Sequence, residues 1–121
     1  YNNRGVVRDD KGDFDGAIED YDRAIEIDPR YALAYYNRGN MRKAKGDVDG
    51  AIEDYDRAIE INPLYPEAYT NRGNIRRSRG DLPGAIADYE KALEVAPANW
   101  RYREVLEDNL AKARKMLGEE R

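Results

Sequence analysis

Three asparagines recur at a constant spacing of 34 residues, at Asn3, Asn37 and Asn71. A carboxamide can donate a hydrogen bond to a peptide carbonyl and accept one from a peptide N–H at the same time. A row of such groups would hold the backbone of a bound segment with little demand on its side chains. The alternative is that these amides hydrogen-bond to neighbouring helices of their own chain.

The side chains that most enzymes rely on are missing from the sequence. It has no Cys and no His, which excludes thiol nucleophiles, imidazole bases and Ser-His-Asp triads and removes nearly all zinc chemistry. The aspartates around Gly16 and Gly50 resemble a calcium loop only faintly, because the bidentate glutamate is missing. Helix N-capping explains them better. We therefore predict a protein that is not an enzyme and uses no metal and no cofactor.

Composition narrows the class of partner. The 121 residues carry a net charge of −4 with interspersed signs, and the mean hydropathy is −0.99. A nucleic-acid binder would show a basic face, and no apolar run is long enough to span a membrane. We expect a protein or peptide partner and a monomer, with self-association as an alternative.

The sequence shows no signal peptide, which favours the cytoplasm. Because the sequence starts at Tyr1, part-way into a repeating unit, we expect a fragment of a longer protein or a chain whose disordered start is left out.

The 34-residue period extends well beyond the asparagines and predicts one structural unit copied along the chain. Within residues 32–65 the apolar pattern predicts a first helix over 32–45 and a second over 48–61. Gly46 would end the first helix, Asp47 would cap the second and Pro63 would close the unit. The residues that recur in step are the following: Gly12, Gly46 and Gly80; Ala17, Ala51 and Ala85; Tyr21, Tyr55 and Tyr89; Pro29, Pro63 and Pro97.

A second glycine recurs in the middle of each first helix, at Gly5, Gly39 and Gly73. Glycine costs about 1 kcal/mol relative to alanine in a helix interior. Its repetition there predicts a close approach of the partner helix, and we expect the recurring alanine, Ala51 in the second unit, to be the facing residue.

Together these residues resemble the tetratricopeptide repeat family, whose pattern has the same period, glycine, alanine, aromatic and proline. Tyr35 stands where the family pattern has Trp, and Tyr55 where it has Phe. The resemblance implies an all-α fold: a right-handed superhelical solenoid of three antiparallel helix pairs with a terminal solvating helix. The chain is then a single domain with repeats at residues 1–31, 32–65 and 66–99 and a capping helix at 100–117.

A systematic departure from the family pattern is a pair of arginines four residues apart in each first helix. These pairs are Arg4 and Arg8, Arg38 and Arg42, and Arg72 and Arg76, where the family has Leu and Tyr. One interpretation is ion pairing with Asp20, Asp54 and Asp88, which share the period on the second helices. The other is a basic stripe that binds an acidic peptide.

The last segment predicts an amphipathic end helix. Glu107 stands where the mid-helix glycine would fall, so residues 100–117 do not form a fourth full unit, and repeat arrays need such an end helix for solubility. A partner-binding helix is the alternative. The predicted apolar seam is Tyr102, Leu106, Leu110, Ala113 and Leu117.

The resemblance also implies where binding would occur, since the first helices of the family line a concave peptide-binding groove. Transferring the family's inner-face positions to this chain gives candidate groove residues Asn3, Tyr36, Asn37, Asn40, Lys43, Thr70, Asn71, Asn74 and Arg77. The family's clamp for a chaperone C-terminal carboxylate is not predicted, because Glu67 and Asn71 replace cations that the clamp needs.

The sequence thus predicts a non-catalytic protein-interaction scaffold that binds a peptide or protein segment in its groove. The alternatives are a self-assembly module acting through its end faces, or a regulatory segment of a larger protein.

Overall fold

The computed structural model describes residues 14–120, with side chains to residue 118. Across these residues there are six α-helices and no strand: α1 (Phe14–Ile27), α2 (Ala32–Lys45), α3 (Val48–Ile61), α4 (Pro66–Ser78), α5 (Leu82–Val95) and α6 (Arg103–Glu120). The chain divides between Pro63 and Leu64 into two compact units. In the first unit α2 packs against α1 and α3, and in the second α5 packs against α4 and α6.

Local signals set the ends of α2 and α3 where the sequence predicts them. Gly46 follows α2 with a φ of 96°, a left-handed conformation. The backbone N–H groups of Gly46 and Asp47 donate to the carbonyls of Lys43 and Arg42 at 3.0 and 2.8 Å. The Asp47 carboxylate then accepts from the N–H of Gly50 at 3.0 Å and caps α3. These contacts satisfy backbone groups that helix ends otherwise leave unpaired.

Small and aromatic residues of the second helices form the core of each unit. Ala51, Tyr55 and Ala58 of α3 are fully buried, and Ala85, Tyr89 and Ala92 of α5 repeat the arrangement. In α1, Ala17 and Tyr21 pack with Met41 of α2. The side chains that are largest and most completely buried therefore include the recurring tyrosines.

The mid-helix glycines allow a close approach of the second helix, as predicted, but the facing residue differs. A Cβ at Gly39 would lie 2.9 Å from Cε1 of the Tyr55 ring and 3.2 Å from Cβ of Asp54. Gly73 has the same surroundings, with Tyr89 and Asp88 at the same distances. The prediction that Ala51 faces Gly39 was wrong, because the crossing of the helices brings the tyrosine ring against the glycine.

The repeated arginines pair with the recurring buried aspartate, which confirms the ion-pair interpretation in the second and third repeats. Arg38 and Arg42 both donate to Asp54, at 2.7–3.1 Å. Arg72 and Arg76 donate to Asp88 at 2.7–3.0 Å. The corresponding pairing of Arg4 and Arg8 with Asp20 lies outside the described residues.

The end helix begins at Arg103 rather than at residue 100. A turn precedes it, in which the Trp100 N–H donates to the Pro97 carbonyl at 3.0 Å and the Arg103 N–H to the Trp100 carbonyl at 3.1 Å. Tyr102 is therefore not part of the apolar seam but is 47% exposed. The predicted seam residues that do pack inward are Leu106, Leu110 and Ala113, which are buried, and Leu117, which is half-buried.

Candidate functional site

The candidate residues of the first unit share one face of α2. Tyr36, Asn37, Asn40 and Lys43 are spaced i, i+1, i+4 and i+7, which places them along one side of a helix. Lys43 is exposed and the other three are half-buried. The Tyr36 ring packs at 5.9 Å, tilted by 46°, against the ring of buried Tyr55.

The second unit repeats this face on α4 with Thr70, Asn71, Asn74 and Arg77, all half-buried. The Thr70 hydroxyl donates to the Pro66 carbonyl of the preceding turn at 2.8 Å. We call the four residues of α2 and the four of α4 the polar faces of the first and second units. Each face carries two carboxamides, and each ends in a cation, Lys43 or Arg77.

Two buried tyrosines of the core form hydrogen bonds with asparagines of the polar faces. The Tyr89 hydroxyl donates to Oδ1 of Asn74 at 2.6 Å, and the Tyr55 hydroxyl donates in the same way to Oδ1 of Asn40. Burial raises the pKa of Tyr89 above its ordinary value, although the charge of Arg77 partly offsets this. The Tyr89 phenol is therefore protonated at neutral pH and available as a donor.

This contact was not predicted from the sequence. The sequence identifies the tyrosines only as recurring residues of the second helices, and the family resemblance places the asparagines in the groove. The signal that could have linked them is the constant offset of 15 residues, shared by Asn40 with Tyr55 and by Asn74 with Tyr89.

A second residue that sequence reasoning missed is Asn109 of the end helix. Nη1 of Arg77 donates to Oδ1 of Asn109 at 3.4 Å, which is long for a hydrogen bond. In the second unit the polar face of α4 therefore continues onto α6.

The predicted ladder of Asn3, Asn37 and Asn71 stays a prediction. Asn3 lies outside the described residues, while Asn37 and Asn71 belong to different units and lie half-buried on their own helices. The eight candidate residues other than Asn3 lie together within their own units. Four of them are on α2 and four are on α4.

The polar faces suit binding better than catalysis. The amides, the two hydroxyls of Tyr36 and Thr70 and the two cations can form hydrogen bonds and attract negative charge, but they do not form a pairing of a nucleophile with a base. Among the described residues no group of three or more His, Cys, Asp or Glu could hold a metal ion. Within residues 14–120 no helix combines the length and the apolar character needed to cross a membrane.

Comparison with protein families identifies repeats over most of the chain. A TPR repeat model matches residues 9–46 and 39–76, and a tetratricopeptide repeat model matches residues 66–99. None of the curated protein sequences compared with the chain matches it.

Solved structures with the same fold cover nearly the whole chain. The first TPR of Spaghetti (RPAP3), bound to the HSP90 peptide SRMEEVD, is 27% identical with a TM-score of 0.86, over 97% of this chain and 90% of that one. The Sgt2 TPR domain from Aspergillus fumigatus is 24% identical with a TM-score of 0.87, over 98% of this chain and 77% of that one. These likenesses and the six described helices confirm the predicted fold class, an all-α helical-repeat solenoid.

Proposed function

The chain belongs to the tetratricopeptide repeat family, and on that premise we propose that it is a non-catalytic scaffold that binds a peptide or protein segment on its polar faces. The observation that carries the proposal is the repetition of one polar arrangement on the first helix of two successive pairs. Asn37 and Asn40 of α2 correspond to Asn71 and Asn74 of α4, one repeat further along. Asn40 and Asn74 accept hydrogen bonds from the core tyrosines, whereas Asn37 and Asn71 recur beside them at half-buried positions outside the buried core.

Amide side chains suit the recognition of an extended backbone. Each carboxamide offers two donors and an acceptor, matching the alternating N–H and C=O groups of a peptide. Such a surface tolerates varied partner side chains, since the amides contact groups that every residue has.

Hydrogen bonds alone do not account for useful affinity. Each contributes about 0.5–1.5 kcal/mol net, whereas micromolar binding needs about 8 kcal/mol. Apolar contacts must add to them, and Tyr36 is suited to this role because its half-buried ring rests against Tyr55. Tyr36 aligns with Asn2 and Thr70 in the other repeats, so it also contributes selectivity.

A relative with a bound peptide supports the proposal. The Spaghetti TPR, which aligns over 97% of this chain, was solved with the HSP90 peptide SRMEEVD. For this chain we propose a different binding mode, because Glu67 and Asn71 stand where a clamp for a terminal carboxylate needs cations. Glu67 would repel that carboxylate.

A random-peptide display screen against the purified chain, followed by calorimetry on the selected peptides, tests the proposal. We expect selected peptides to bind with micromolar dissociation constants and to lose affinity when Asn37 and Tyr36 are replaced by Ala. The control is Glu53→Ala, an exposed position on α3, which should bind as the wild type does. A folded wild-type chain that selects no peptide would overturn the proposal.

A further inference from the structure

We propose that the end helix α6 is an interaction surface for a second copy of the chain, on which the α6 helices of two copies pack antiparallel. The inference goes beyond the proposed function and develops the self-association that the sequence leaves open as an alternative to a monomer. Two observations carry it. One is an exposed stripe of α6 with an apolar side chain at each end, and the other is a set of charges beside the stripe that become complementary when the helix is reversed.

The stripe lies next to the side of α6 that packs on α5. Val105, Asn109, Lys112 and Met116 are spaced by four, three and four residues, the spacing with which one helix meets another in a coiled coil. Val105 is 58% exposed and Met116 is 42% exposed, while Lys112 is exposed and Asn109 is half-buried. We call these four residues the α6 stripe.

Reversal of the α6 stripe matches each of its residues with a suitable partner. In an antiparallel pair about a two-fold axis, Val105 of one copy meets Met116 of the other, and each contact occurs twice. The outer contacts bury apolar side chains. In the inner contacts the Lys112 ammonium donates to Oδ1 of Asn109, which accepts from Arg77 and has a second lone pair. In a parallel pair Lys112 would meet the Lys112 of the other copy, and the two ammonium groups would repel each other.

The charges beside the α6 stripe are complementary in the same arrangement. Asp108 and Lys115 flank it on one side, and the reversal brings Asp108 of one copy near Lys112 and Lys115 of the other. Among the described residues, neither Asp108 nor Lys115 has an ion-pair partner, whereas Arg114 on another side of α6 pairs with Glu90 of α5 at 2.8 Å. A second copy would therefore supply the partners of these two charges.

The other charged groups near the stripe are compatible with this pairing. Arg77 contacts the stripe from the side away from Asp108, because its partner in α6 is the next residue, about 100° around the helix. Lys112 of a second copy therefore meets Asp108 rather than Arg77. Glu104, exposed on the Asp108 side, and Arg101, exposed just before α6, carry opposite charges. Acids and bases thus alternate here, without the single-sign charge that would keep two copies apart.

The length of the stripe predicts a weak dimer. From Val105 to Met116 it extends about 16 Å along the helix axis. One helix from each copy forms an interface below the standard size of a stable complex, so we expect a dissociation constant on the order of 100 µM. Monomer and dimer then coexist at concentrations that sedimentation covers.

Sedimentation velocity of the full chain from about 10 µM to about 1 mM tests the pairing. We expect the average mass to rise from the 13.9 kDa of one chain toward twice that value. Val105→Ser with Met116→Ser should keep the chain monomeric. Because both side chains are exposed, its thermal unfolding at low concentration should match that of the wild type. A wild type that stays monomeric throughout would overturn the proposal, whether or not a different partner covers the stripe.

Two charge variants test the antiparallel orientation. Asp108→Lys leaves only bases at the two flanking positions, and Lys115→Asp leaves only acids. Each variant should dimerise about tenfold more weakly than the wild type, since every contact occurs twice. An equimolar mixture of the two should recover the association as a heterodimer. Glu53→Lys on α3 is the control for the change of charge and should dimerise as the wild type does. A mixture that recovers no association would refute the antiparallel pairing.

These measurements are independent of peptide binding. The double variant Asn37→Ala with Asn71→Ala keeps the whole α6 stripe, so it should dimerise as the wild type does. Peptide binding without self-association would refute this inference and leave the proposed function standing. Self-association of a chain that selects no peptide would do the reverse.

Discussion

Arg38 donates two hydrogen bonds to the buried carboxylate of Asp54, from Nε at 3.0 Å and from Nη2 at 2.7 Å. Its third nitrogen, Nη1, donates at 2.7 Å to Asp22 of α1. One planar guanidinium therefore joins carboxylates of the helices on either side of α2. Burial opposes the charge of Arg38, but the hydrogen bonds and charges of both aspartates outweigh it and raise its pKa. An ionic contact occupies a position where the family pattern has leucine.

Replacing Asp54 tests how much the fold depends on this contact. Asp54→Ala leaves two guanidinium groups beside a buried gap, with Arg38 only 15% and Arg42 26% exposed. We expect a loss of about 3 kcal/mol in the free energy of unfolding, since the change takes the carboxylate from Arg42 and leaves Arg38 only its contact with half-exposed Asp22. Urea denaturation followed by circular dichroism measures it.

The matched control for Asp54 is Glu19→Ala, which removes an exposed pair with Arg23 whose side chains are 60% and 43% exposed. Exposed pairs contribute about 0–1 kcal/mol. Equal losses in the two variants would show that the buried pairing has no special role.

Substitution of Gly39 tests the close approach of α2 and α3. Alanine favours helix over glycine by about 1 kcal/mol, but its Cβ would lie 2.9 Å from the buried Tyr55 ring. We expect Gly39→Ala to destabilise the protein by about 1–3 kcal/mol, because overpacking a core outweighs the propensity. Thermal unfolding of Gly39→Ala and of the wild type measures the difference in stability.

Gly118→Ala is the control for the glycine substitution. It lies on α6, and a Cβ there would meet nothing within 4 Å, so this change should be neutral or slightly stabilising. If Gly39→Ala stabilised the protein as well, the steric account of the close approach between α2 and α3 would be wrong.

The raised pKa of Tyr89 makes stability dependent on alkaline pH. A tyrosine whose folded pKa exceeds its unfolded value of about 10 stabilises the fold fully below that pH. The contribution is lost as pH rises through the higher folded pKa, because the unfolded state releases the proton first. The cause is burial of the phenol. We therefore expect wild-type stability to fall above pH ~10 more steeply than that of Tyr89→Phe.

Urea titrations of both proteins at stepped pH values measure this difference. At neutral pH, Tyr89→Phe should already be less stable by about 1 kcal/mol because it lacks the hydrogen bond to Asn74. The gap should close as the pH rises. If the free energies of unfolding of the wild type and Tyr89→Phe fell in parallel across the alkaline range, burial of the Tyr89 phenol would not be the cause of the pH dependence.

The sequence predicts those features that depend on neighbours along the chain. The ends of α2 and α3 follow from Gly46 and Asp47, whose effects are local. The pairing of Arg38 with Asp54 was predictable because two periodic charges of opposite sign lie on helices that must pack together.

Contacts set by the crossing of helices were not predictable. Whether Ala51 or Tyr55 faces Gly39, and whether the Tyr55 hydroxyl reaches Asn40, depends on an angle and an offset that periodicity leaves open. The start of α6 was wrong for a different reason: the turn at Trp100 and Arg103 replaces the first helical turn that the apolar pattern predicted.

The central claim is that the polar faces bind peptide, and the double variant Asn37→Ala with Asn71→Ala tests it most directly. Calorimetry with a peptide selected against the wild type should show an affinity lower by about tenfold or more, since two hydrogen bonds of about 1 kcal/mol each are removed. The thermal transition should change little, because neither side chain belongs to the buried core. Unchanged affinity in a folded double variant would contradict the account.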